Sequence, residues 1–191
     1  DGNVVDEWTS VKDQPHVIKR LVVGEEYILR EEIAPYGYLK ATDVKFTLED
    51  TAEVQKVEMK DEVPTALLII NKKGEFLDKV TLLDNAKGTV EHLFEYISGN
   101  LTEVTFEAAE DIKAADGISE DYYKADDLVG TITTDDTGIA QLGDLPVGKY
   151  YVKEVATAHG YVLDAEIRYV DLSYRDQDTP VVTYDEDWQN A

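Results

Sequence analysis

The sequence predicts an all-β chain built from β-sandwich units, and three observations carry that expectation. Apolar and polar residues alternate with period two along most of the 191 residues. Turn signals punctuate the alternation about every eight to twelve residues, the rhythm of a sandwich. One stretch of the chain also occurs twice. With 43% hydrophobic residues, 12 Tyr, 4 Phe and 2 Trp, the chain has the material for a packed core.

Taken in order, Val44–Leu48, Val54–Met59, Ala66–Ile70, Tyr150–Val155, Ile167–Tyr174 and Val181–Trp188 read as strands. Polar turns separate them at Pro35-Tyr36-Gly37, Asp135-Asp136-Thr137-Gly138, Pro146-Val147-Gly148 and Arg175–Asp178. One segment has a different period. Val90, Leu93, Phe94 and Ile97 fall at i, i+3, i+4 and i+7, behind a possible cap at Thr89 and ahead of Gly99. That spacing predicts an amphipathic helix over 89–98 with its stripe in the core, and a weaker helix is expected near 108–115.

The repeat organises the chain. Val23-Gly24-Glu25-Glu26-Tyr27-Ile28-Leu29-Arg30-Glu31 recurs as Val147-Gly148-Lys149-Tyr150-Tyr151-Val152-Lys153-Glu154, with one residue deleted. In both copies Gly-Tyr follows the Glu at the sixth and seventh positions (Gly37-Tyr38, Gly160-Tyr161). Upstream, Val4–Ser10 matches Leu128–Thr134. The copies divide near Val63-Pro64 into a first domain, 1–63, and a second, 64–191, that carries the helical insert. Ahead of the matching strand the second copy has more than 60 residues, counted from Thr65, and the first has three. If the units share a fold, the first lacks its opening strand or strands, and the edge left bare invites a strand from another chain.

Charge and composition narrow the function. With 18 Lys+Arg against 41 Asp+Glu the formal charge is −23. Such a surface repels phosphate backbones and anionic lipids, so nucleic acid and membrane are poor partners. No apolar run approaches the roughly 18 residues of a membrane-spanning helix. Cysteine is absent, and the three histidines (His16, His92, His159) have no metal-binding spacing, so no metal and no cofactor is expected. The acidic clusters Asp176–Asp178 and Asp185–Asp187 lack the glycine and spacing of an EF-hand. No phosphate-binding glycine loop and no G-x-S-x-G elbow is present. An enzyme of ordinary turnover is not expected.

The segment Tyr27-Ile28-Leu29-Arg30-Glu31-Glu32-Ile33-Ala34-Pro35-Tyr36-Gly37-Tyr38 resembles the Y-x-L-x-E-x-x-A-P-x-G-Y signature of Cna protein B-type, or SpaA-like, domains of Gram-positive pilins and adhesins. Seven fixed positions agree in order. The second copy keeps Tyr150, Glu154, Gly160 and Tyr161 but has Thr157-Ala158 in place of Ala-Pro. The resemblance implies two tandem immunoglobulin-like (prealbumin-like, CnaB-type) sandwiches in a stalk on the cell surface. It also implies a chemistry, in which a Lys of the first strand attacks an Asn or Asp side chain of the last strand, assisted by the signature Glu, to form an isopeptide bond. Burial among apolar groups disfavours the ammonium and frees the amine as a nucleophile. A buried acid polarises the carbonyl, and confinement supplies effective molarity.

In the second copy the resemblance assigns the acid to Glu154 and the amine to Lys72, which shares a face with Leu68 and Ile70, with Lys73 as the alternative. On the last strand Val182, Tyr184, Glu186, Trp188 and Asn190 share a face, and the resemblance, which implies an Asn near the end of that strand, assigns the acceptor to Asn190 with Asp185 as the alternative. The competing reading is an ordinary Lys72–Glu154 ion pair between strands. In the first copy Glu31 is the matching acid and Asp61 the matching acceptor, while the Lys would lie on the missing strand; a docked Lys-bearing strand would complete the set. The expected partners are neighbouring repeats of the same surface protein and, for the truncated domain, a strand-donating chain. Two other uses compete with the stalk: binding of a host protein or glycan through the insert near His92–Tyr96, and a split-domain ligation module.

Overall fold

A computed structural model describes residues 2–84, 90–109, 122–124 and 126–189. Two compact units emerge, one formed by Asp1–Glu32 with Ala41–Lys60, the other by Ile33–Lys40 with Asp61–Ala191.

In the first unit β1 (Glu26–Leu29) pairs antiparallel with β2 (Val44–Thr47), Tyr27 opposite Phe46 and Leu29 opposite Val44. Arg30 and Asp43 extend the hairpin with a forked ion pair at 2.7 Å. These are the named strands among the unit's described residues; Val4–Ser10 and Val54–Met59, expected as strands, are not strands. Alternation without an opposing layer has nothing to bury, and Val4, Val5 and Val54 are exposed.

The second unit is a two-sheet sandwich. Its long first strand β3 (Thr65–Asp84) has two halves with different neighbours. From Thr65 to Lys73 it runs parallel to the last strand, β10 (Val181–Gln189), and on its other side antiparallel to β7 (Ile139–Pro146). From Lys73 onward it pairs with β4 (Val90–Asn100). The opposing sheet has the order β6 (Leu128–Thr133), β5 (Thr105–Ala109), β8 (Gly148–Ala156), β9 (Ile167–Leu172). Alternation decides what each strand buries: Ala66, Leu68, Ile70 and then Lys72 from β3; Tyr150, Val152 and then Glu154 from β8; Val182 and Trp188 from β10. The core-facing rows of β3 and β8 therefore run from apolar residues into a charged one.

The expected helix over 89–98 is not formed. Val90–Asn100 is a strand, and Gly99, expected to end a helix, stands opposite Gly74 in its ladder. Val, Phe, Tyr and Ile favour extended backbone, and the second half of β3 offers them a hydrogen-bonding partner that a lone helix would lack. Thr89 lies outside the described residues, as does 110–115 of the weaker helical expectation; Ala108 and Ala109 end β5. The all-β expectation holds, and the helical insert is replaced by a β-ribbon.

Ile33–Lys40 packs within this second unit. The Ala34 N–H donates to Gln177 Oε1 at 2.9 Å and the Lys40 N–H to the Gln177 carbonyl at 3.0 Å. Tyr174 donates its hydroxyl to the Tyr38 carbonyl at 3.1 Å and meets the Tyr36 ring edge-on.

Candidate functional site

Four side chains meet where the two rows turn polar. In the β3–β10 ladder Lys72 lies opposite Trp188, and in the β5–β8 ladder Phe106 lies opposite Glu154. The two pairs face each other across the sandwich. Lys72 Nζ donates to Glu154 Oε2 at 2.6 Å, with both side chains fully shielded from solvent. The ammonium sits 5.3 Å from the Trp188 ring centre and 5.8 Å from that of Phe106, and the two rings tilt against each other at 4.9 Å.

The main chain of Lys72 is held as firmly as its side chain. Its N–H donates to the Gly138 carbonyl at 2.8 Å, and its carbonyl accepts from Leu101 N–H at 2.9 Å. Gly138 closes the expected Asp135–Gly138 turn at φ 75, where Asp135 Oδ1 collects the N–H groups of Thr137 and Ile139.

Burial pushes the Lys72 amine below the ordinary lysine value, against the opposing pull of Glu154. Asp164 adds a second carboxylate at the rim: its Oδ2 accepts from the Trp188 indole N–H at 2.6 Å. Burial alone would raise its pKa, but the Glu166 N–H, the indole and the charges of Lys72 and Arg168 together lower it. Arg168 lies over the Trp188 ring, its guanidinium carbon 4.2 Å from the ring centre, and pairs with Glu186 at 2.7 Å. Among the described residues Glu154 Oε1 is buried without a hydrogen-bond partner. An orphaned carboxylate oxygen beside a desolvated amine is a costly arrangement unless a further polar group meets it.

The other candidate residues lie elsewhere. Lys73 points out of the sandwich, 3.8 Å from Asp187. Asp185 is on the exposed face of β10 and accepts a short hydrogen bond from the Asn71 amide. Asn190 lies outside the described residues. In the first unit Glu31 Oε2 accepts the Ala41 N–H at 2.7 Å; Asp61 belongs to the second unit and is half-buried. Sequence reasoning missed Phe106, Asp164 and Arg168. Phe106 had a usable signal, since it sits in alternation with Ala108, whereas Asp164 comes from a loop with no period.

The family model of the SpaA prealbumin-like fold domain matches residues 1–63 and 94–188. The chain belongs to this family. The SpaA match leaves out 64–93, so Lys72 and the first half of the ribbon lie on a segment outside it. Solved structures similar to this SpaA chain include the Bacillus anthracis TIE protein, at 22% identity and a TM-score of 0.49 over 86% of this chain and 25% of that one. The full-length major pilin SpaD of Corynebacterium diphtheriae gives 18% identity and 0.38 over 64% and 31%. GBS52, a minor pilin of Streptococcus agalactiae, gives 16% and 0.38 over 79% and 54%. The chain thus spans from a quarter to about half of these proteins. No curated protein matches it.

Proposed function

We propose that this chain is a non-enzymatic structural module of a pilin or adhesin, displayed on a Gram-positive cell surface and organised as two repeats, 1–63 and 64–191, whose second repeat closes itself with an isopeptide bond from Lys72 to Asn190. Membership in the SpaA family supports the module. The observation that carries the covalent step is the fully buried 2.6 Å contact between Lys72 Nζ and Glu154 Oε2, placed where first and last strands run side by side.

In that step Glu154 takes a proton from the lysine, freeing the amine that burial already favours. The amine attacks the side-chain carbonyl carbon of Asn190; Glu154 gives its proton to the departing nitrogen and takes one from the attacking nitrogen, which becomes the amide N–H. One C–N bond forms, one breaks, and ammonia leaves. Asn190 follows Trp188 by two residues in the sequence, the spacing at which period-two alternation puts two side chains on one face. The bond would tie first strand to last, carrying tension along the stalk and restricting the unfolded chain as a disulfide does.

Intact-mass spectrometry tests it. The expected result is a loss of about 17 Da from the sequence mass, the ammonia released on acylation of a lysine, with the loss absent in Lys72→Ala and Asn190→Ala. A loss of about 18 Da would move the acceptor to an aspartate, and an unchanged mass would leave Lys72–Glu154 as a buried ion pair only. Neighbouring repeats and subunits are the proposed partners.

A further inference from the structure

Strands β8 and β9 are antiparallel neighbours that a short turn could join, yet the chain connects them through residues 157–166. That connection reaches across to the other sheet and bonds to both strands that carry the site. Tyr161 donates its hydroxyl to the Glu75 carbonyl of β3 at 2.8 Å, and its ring comes down on Gly74. Gly74 follows Lys72 in the buried row of β3. A Cβ there would stand 2.7 Å from the Tyr161 ring, so only glycine allows the approach. Three residues on, Asp164 reaches β10. Its Oδ1 accepts the Glu166 N–H at 3.0 Å, which aims Oδ2 at the indole N–H of Trp188. One anchor therefore lies just past Lys72, and the other is the residue opposite Lys72 in the ladder. Strand β9 continues the grip: Arg168 stacks on the same indole and donates to the Glu186 carboxylate at 2.7 Å and the Asp187 carbonyl at 3.2 Å. Glu186, Asp187 and Trp188 are thus held at the end of β10, where a strand without ties frays.

We propose that the 157–166 connection is a clasp holding the first and last strands together around the Lys72 amine, and that Asp164 is a positioning residue for the acylation, acting through the Trp188 indole. The role rests on the isopeptide reading above and falls to a residue that takes no part in the bond changes. Acylation needs the end of β10 kept within reach of the amine, and such confinement is what supplies effective molarity. A Trp side chain turns about two bonds. With a carboxylate on its N–H and a guanidinium on its face, the indole keeps the one orientation that walls Lys72 against Phe106. The clasp also starts two residues after Glu154, so a single segment ties the acid's strand to those of the amine and the indole. Charge is not what the site needs from Asp164. Burial is the main influence on the Lys72 amine, and Asp164 is a smaller one that favours the unreactive ammonium. Its contribution is the hydrogen bond.

Cell-free synthesis of the full chain, stopped and then quenched in acid at successive times, lets intact mass report the rate of ammonia loss. Asp164→Ala is expected to slow that rate by about tenfold or more, the equivalent of one charge-assisted hydrogen bond. Asp164→Asn keeps an oxygen that accepts the indole N–H and should stay within about threefold of wild type. Thr133→Ala removes an exposed hydroxyl hydrogen bond between β5 and β6 and should leave the rate unchanged, whatever it does to the thermal midpoint. A second readout needs no reaction: in an Asn190→Ala background, Asp164→Ala should speed solvent exchange of the Trp188 indole N–H, followed by NMR, by about tenfold or more. A wild-type rate in Asp164→Ala, or equal slowing in Asp164→Asn, would overturn the positioning role and leave the isopeptide bond standing. Slowing with unchanged indole exchange would overturn the route through Trp188. A wild-type chain that never loses mass would overturn the isopeptide reading and, with it, the role of Asp164.

Discussion

Lys72 and Glu154 meet at 2.6 Å across two different sheets, and neither side chain touches solvent. The amine comes from the strand that pairs with the last strand among the described residues, and the acid comes from the middle of the opposing sheet. Their contact therefore depends on the whole sandwich being closed.

The ion pair can be separated from the covalent step in an Asn190→Ala background, where no acceptor amide is present. There, Glu154→Gln leaves a buried cation without its counter-charge and is expected to cost about 3–5 kcal/mol. Urea unfolding monitored through tryptophan fluorescence reads it. A loss below about 1 kcal/mol would mean that water reaches Lys72.

The same background gives a pH dependence with a definite sign. Burial lowers the folded-state pKa of Lys72 below 10.5, so the unfolded chain binds the extra proton between the two values. Stability contributed by this group is then lowest below the folded pKa, rises with pH through it, and levels off near 10.5. The difference in unfolding free energy between Asn190→Ala and Asn190→Ala/Lys72→Met, measured from pH 7 to 10, isolates it from the other titrating groups. A difference that moves the opposite way would show that Glu154 outweighs burial.

Trp188→Phe removes the indole N–H that Asp164 accepts and the ring surface under Arg168. A cost of about 1–3 kcal/mol is expected from the lost hydrogen bond and the space left behind. In the wild-type background the same variant should slow the mass loss during refolding, because the indole also walls off the amine from water.

Gly138→Ala should be among the most damaging single methyl additions. Its φ of 75 disfavours a side chain, and the new Cβ would stand 2.8 Å from Asn100 Cβ and 3.0 Å from the Lys72 carbonyl oxygen. About 2–4 kcal/mol is expected. Gly143→Ala is the control, with its nearest neighbour at an ordinary 3.6 Å. Thermal unfolding of the two variants side by side distinguishes them.

Period-two alternation, read residue by residue, placed Lys72 on the face of Leu68 and Ile70 and grouped Val182 with Trp188, and β3 and β10 bury those faces. It worked there because each strand has one dry side. The same reasoning misread Val90–Ile97 because β4 is exposed on both sides and has no alternation to show; its apolar residues happen to fit a helical spacing as well. It also expected Val54–Met59 as a strand, where the first unit provides no ladder to receive it.

By itself, then, the sequence determined the strand-rich character, the repeat, the turns and the inward faces, because these follow from chirality, period and turn chemistry within a few residues. Tertiary structure alone decided that Lys72 lies opposite Trp188, that Glu154 closes over it from the other sheet, and that Val90–Asn100 extends along β3. Those outcomes depend on which distant segments compete for the same hydrogen bonds and the same dry volume, and no local pattern encodes the winner.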